Sequence, residues 1–187
     1  MMNERIMIKM TLNQFVGEFI LCKNEDAKKA LVKAHITTDY LPYTHKMTVC
    51  NSIIQIADYK EIPLPDGTTK KYFAPNTAQR YFLFILQLIK DYTDIICVSN
   101  DIDTTDDAAV ASAMMNAFDR FEHAGVTPIL IEMLGDEYTS LHTVLDMRVN
   151  DTAFIESSLP SYLDTKIDTI SLVANQLQTM IAESHDN

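Results

Sequence analysis

The chain has 187 residues, with 15 Lys and Arg against 26 Asp and Glu, a formal charge of −11 and a pI near 4.7. Its 47% hydrophobic and 22% charged residues are those of a folded domain, and a chain of this length buries roughly 70% of its unfolded surface without a disulfide or metal staple. The acidic balance speaks against direct binding to nucleic acid, whose phosphates need a basic face, and no run approaches the ~18 apolar residues that span a bilayer.

Residues 1–9 read as an N-terminal arm or as a mis-start ahead of Met10. They are too short and too mixed for a secretory core. Thr11-Leu12-Asn13-Gln14 is a capping box, in which Thr11 and Gln14 satisfy each other's free N–H. Leu12, Phe15, Val16, Phe19 and Ile20 then form one apolar stripe, predicting a helix that ends near Cys22 to Asn24. Ala27 to His35 reads as a short basic helix. Ile36 to Pro42 reads as an extended connector, because Pro42 disfavours the helical region for Leu41.

Tyr43 to Asp58 returns to helical spacing, with Met47, Cys50, Ile54 and Ala57 on one side. Asp66-Gly67 is a turn signal between two short β-capable runs. A two-stranded hairpin or an ordered loop is expected over 60–73, with Pro63 and Pro65 confining its first arm to an edge. Asn76 with Gln79 caps the next helix, whose wide apolar face (Tyr81, Phe82, Phe84, Ile85, Leu88, Ile89) predicts a central buried position. Asp94 to Val98 is its tail or a short extended piece, and Ser99 to Asp107 an acidic loop.

Asp107 to Ala124 reads as an Ala- and Met-rich helix closed by Gly125. Thr127 and Pro128 are expected as the N-cap and first residue of a helix that stops at Gly135. Asp136 starts another helix, to about Phe154, with Leu141, Val144, Leu145 and Val149 buried. Ser161 opens the last, whose Leu163, Ile167, Ile170, Ala174, Leu177 and Ile181 repeat like a coiled-coil seam. That seam suits either packing within the chain or self-association. The fold expected is all-α in the main: a multi-helix bundle forming a single domain over 10–187, with the excursion at 60–73.

Motifs of chemistry are sparse. Cys22, Cys50 and Cys97 are widely spaced and read as reduced core thiols. His35, His45, His123, His142 and His185 form no HExxH pattern. Asp101, Asp103 and Thr105 fall at calcium-loop positions, but Asp106 and Ser112 stand where that loop needs Gly and Glu. Gly17, Gly67, Gly125 and Gly135 are isolated, so no phosphate loop forms. Neither catalytic residues, nor a metal site, nor a cofactor is expected. Lys60, Lys70 and Lys71, with Tyr72 and Phe73, make the excursion locally basic and aromatic on an acidic protein. They are the expected partner-contact residues. An ordinary solvated hairpin with charged edges has the same composition.

Leu41-Pro42-Tyr43-Thr44-His45-Lys46-Met47, with Cys50 and Ile53-Ile54 after it, resembles a family of small proteins of tailed bacteriophages that infect Gram-positive hosts. Thr11 to Phe15, Tyr92-Thr93-Asp94-Ile95 and Ser161 to Lys166 fit the same family, so the resemblance runs from Met10 onward. It implies a part in building the particle, in the virion or the host cytoplasm, and supplies no active-site residues. The function expected is that of a non-enzymatic virion structural or assembly protein. Its partners would be other phage proteins or further copies of itself, without nucleic acid, membrane or small-molecule substrate. The alternatives are a head or tail assembly chaperone absent from mature particles, and an acidic inhibitor of a host nucleic-acid-binding protein.

Overall fold

The Thr11 hydroxyl accepts from the Gln14 N–H at 3.3 Å, and the Gln14 side chain accepts from the Thr11 N–H at 2.9 Å. The first helix, α1 (Leu12–Leu21), therefore starts where the capping box places it. A computed structural model describes residues 10–65, 67–97 and 105–158. Contacts divide the chain into two compact units, residues 1–145 and residues 146–187.

Asn24 accepts from the Ala27 N–H at 2.8 Å, so α2 (Glu25–His35) starts slightly ahead of the expected Ala27. Glu25 and Asp26 in its first turn and Lys33 and His35 in its last complement the helix dipole. Pro42 precedes α3 (Tyr43–Ala57). The excursion is a hairpin, β1 (Tyr59–Pro63) paired antiparallel with β2 (Thr69–Phe73). Asn76 accepts from the Gln79 N–H at 3.0 Å and opens α4 (Thr77–Tyr92). Asp106 caps α5 (Asp107–His123), and α6 (Val126–Leu134) follows. The last described helix, α7, covers 136–158, of which 136–145 belong to the first unit. Among the described residues the fold is all-α in the main, with one small hairpin.

In the first unit α1 packs on α5, α2 on α6, and α3 on α4. Phe15 is fully buried at the α1–α5 contact, its ring 6.3 Å from that of Phe121 and 5.3 Å from the His35 ring. Ile85, Leu88 and Ile89 make α4 the central helix, as its apolar face predicts, but Tyr81 stays 46% exposed. Leu141, Val144 and Leu145 are buried as expected, whereas Val149 is only half-buried. The segment after α4 is extended: Ile96 donates to the Met10 carbonyl and accepts from Leu12, both at 2.9 Å. Thr37 donates to the Tyr92 carbonyl and Asp94 to the His35 carbonyl, so the same segment ties down the end of α2.

Two expectations need correcting. Thr127 is not an N-cap. Gly125, at φ +76° and ψ 29°, ends α5 and is itself the N-cap of α6. The turn leaves no spacer, so Thr127 lies inside α6 and its hydroxyl donates to the Glu122 carboxylate, a stronger acceptor than a backbone group. The three cysteines are free, but only Cys50 is in the core; Cys22 and Cys97 are half-buried. Residues 1–9, residues 98–104 (which hold most of the acidic loop expected over Ser99–Asp107, with Asp101 and Asp103), and the helix expected from Ser161 lie outside the described residues.

A Cβ added at Gly125 would meet no atom within 4 Å, so the strain there is purely one of backbone conformation. Gly125→Ala is expected to lower stability by about 1–2 kcal/mol, the cost of a left-handed non-glycine residue. Urea denaturation checks this; an unchanged midpoint would mean that the corner relaxes.

Candidate functional site

The hairpin register decides which of its residues act together. Cross-strand partners share a face of a sheet. Tyr59 opposes Phe73, Glu61 opposes Lys71 and Pro63 opposes Thr69 on one face. Lys60 opposes Tyr72 and Ile62 opposes Lys70 on the other. The five expected contact residues are thus split. Lys71 pairs with Glu61 at 3.4 Å, and Phe73 packs edge-on against Tyr59 with ring centres 5.5 Å apart. Lys60, Lys70 and Tyr72 share the opposite face, and neither lysine has an ion pair among the described residues. Ile62, 46% exposed, lies between them, and exposed Leu64 follows at the same spacing. Sequence reasoning missed Ile62 and Leu64. Alternation from Lys60 was the signal that could have found them.

The base of the hairpin is anchored in the core. Asp58 is fully buried at the end of α3. Its Oδ1 accepts from the Asn76 N–H at 2.8 Å and lies 3.4 Å from Arg80 Nε. Its main-chain carbonyl accepts from the Ala74 N–H at 2.6 Å. Both strands are therefore clamped to the start of α4.

A second polar cluster joins α3, α4 and α7. Lys46 is 3% exposed, donates to Glu137 Oε1 at 3.0 Å and to Ser140 Oγ at 2.9 Å, and its ammonium lies 2.9 Å from Glu137 Oε2. Glu137 also accepts from the Tyr92 hydroxyl at 2.9 Å and from the Leu41 N–H at 3.2 Å. Burial alone pushes the Glu137 carboxyl up, but Lys46, Leu41 and Tyr92 outweigh it and hold the group below its ordinary value. Burial, reinforced by the bond to Glu137, pushes the Tyr92 hydroxyl up. A serine beside a lysine can act as nucleophile and base. Here both oxygens of Glu137 engage the Lys46 ammonium, and the cluster serves as a buried clasp between helices.

Elsewhere, the His35 ring lies 2.7 Å from Asp94, where it ties α2 to the extended segment. Burial pushes the Cys97 thiol up to about 11, so it is not a thiolate at neutral pH. A groove of about 620 Å³ runs between α4 and α5, lined by Phe82, Leu83, Met114, Met115, Phe118 and Asp119 among others. Among the described residues there is no cluster of three metal-ligating side chains, and no helix is long and apolar enough to cross a membrane. No family model, curated protein or solved structure matches the chain.

Proposed function

We propose that the chain is a non-enzymatic structural or assembly protein of a tailed-bacteriophage virion, working through protein–protein contacts. The hairpin face carries the reading. A clamped arm presents Lys60, Ile62, Lys70 and Tyr72 together, with neither lysine ion-paired among the described residues, on a protein of net charge −11. An isolated apolar residue on a surface needs no explanation, but apolar and basic residues held on one rigid face suit a partner surface. The phage setting rests on the resemblance of residues 41–54 and the three segments that accompany them.

Deleting Pro63 to Lys70 and closing the gap is expected to leave the helical circular-dichroism signal nearly intact and to impair partner binding. Loss of most of the helical signal would show that the segment belongs to the core. Quantitative mass spectrometry of purified virions tests the setting. Many copies per particle support a structural role. Absence from particles, with the chain present in infected cells, would remove that role and leave the assembly chaperone or the inhibitor.

A further inference from the structure

We infer that the basic and apolar face of the hairpin docks in the α4–α5 groove of a second copy of this chain, and that two copies exchange arms. The inference rests on the contact role proposed above and names its partner.

The groove complements the arm in both chemistry and charge. Its floor is Phe82, Leu83, Met114 and Phe118, with Met115 58% exposed at its side. Aromatic and methionine side chains are enriched in interface cores, and thioethers adapt to an incoming shape. The arm offers Ile62 and Tyr72 to such a floor. Asp119 lines the groove, and Asp107 and Glu122 stand at helical spacing along the same helix, before and after the lining residues Ala111, Met115 and Asp119. Glu122 is engaged by the hydroxyls of Thr127 and Tyr81. None of the three acids has a Lys or Arg partner among the described residues. Lys60 and Lys70 likewise have no ion pair among the described residues. The acids of one copy and the lysines of another complete each other.

Placement favours reciprocal exchange. The groove begins at Asn76 and Gln79. Asn76 is the residue that Asp58 ties to the hairpin base, so each arm leaves from the end of its own groove. A two-fold axis at that end puts each arm beside the other copy's groove, giving an isologous dimer.

Sedimentation equilibrium of the full chain over roughly 1–200 μM, the range of a modest affinity, is expected to show a monomer–dimer equilibrium that weakens with added salt. Lys60→Glu with Lys70→Glu should weaken it at least about tenfold, as should Asp119→Lys alone, a change of ~1.4 kcal/mol or more in association free energy. The chain carrying all three reversals should regain most of the association. All three positions are exposed, so each variant should keep the wild-type circular-dichroism spectrum. A wild type that stays monomeric overturns the inference, as does association indifferent to the reversals or not regained by their combination. If Met115→Glu lowers the melting temperature of a monomeric wild type, the groove is filled from within the same chain, and the inference fails. A monomer that is still counted in virions overturns this pairing alone; a hairpin deletion that affects no partner overturns the contact role as well.

Discussion

Lys46→Ala is expected to destabilise the protein by about 3–5 kcal/mol, the usual cost of removing one partner from a buried ion pair. At roughly 2–4 °C per kcal/mol for a chain of this size, the melting temperature falls by about 6–20 °C. The reason is local. Lys46 is 3% exposed, and without it Glu137 loses its counter-charge and the donor to Oε1, while the Ser140 hydroxyl loses the donor it accepts from. Lys46→Met with Glu137→Gln should recover part of the loss, because the amide oxygen still accepts from Leu41 or Tyr92 and the lone charge is gone.

The pH dependence follows with a definite sign. Glu137 has a folded-state value below its ordinary 4.5. Its contribution is therefore fully present above about pH 4.5 and is lost as pH falls through the folded-state value. The stability gap between wild type and Lys46→Ala should narrow from pH 7 to pH 3. A gap that stays constant in urea titrations at the two pH values would mean that the pair is not coupled.

Phe15→Ala is the second large effect, expected at about 3–5 kcal/mol from lost transfer energy and the cavity left behind. The ring is 0% exposed and sits between Phe19, Phe121 and His35. Those neighbours come from α1, α5 and α2, so collapse into the space would have to move three helices. Ile20 on the same helix is 63% exposed, and Ile20→Ala should stay within about 0.5 kcal/mol. Equal urea midpoints for the two variants would contradict the packing of α1.

Much of the fold was legible because local signals agreed with it. Thr11 with Gln14, Asn76 with Gln79 and Pro42 mark helix starts by satisfying or removing free N–H groups, and each does so without help from the rest of the chain. Asp66-Gly67 located the hairpin in the same way, and Gly67 has the positive φ, +82°, that its place in the turn suggests. Thr127 failed as a cap because Gly125 turned the chain first, and no local rule ranks the two.

The buried clasp was visible but unread. Lys46 stands on the stripe Lys46, Val49, Cys50, Ile53, Ile54, Ala57; Glu137 precedes Leu141, Val144 and Leu145 at helical spacing; and Tyr92 follows Leu88 and Ile89. A charge on an apolar stripe needs an opposite charge on another. Which helices face each other is a long-range fact, and spacing within one helix does not contain it. The hairpin residues were found as a group, yet their division into two faces needed the register. Charge counts alone could not show that Glu61 pairs with Lys71 and leaves Lys60 and Lys70 without an ion pair among the described residues.

The buried ring of Phe15 has a consequence for synthesis. Its cover, Phe121, lies far along the chain. At ~5–20 residues per second a ribosome takes on the order of ten seconds to get from one to the other. Ile96, which stitches Met10 and Leu12, also comes late. During that interval α1 has only its nearer neighbours, Lys28 over the Phe19 ring and His35 against Phe15, and the Phe121 side of its apolar stripe stands uncovered on the nascent chain. Slow loop closure and exposed apolar surface invite misassembly at high expression. Trigger-factor-like chaperones that hold nascent apolar segments should therefore raise the yield of correctly folded chain.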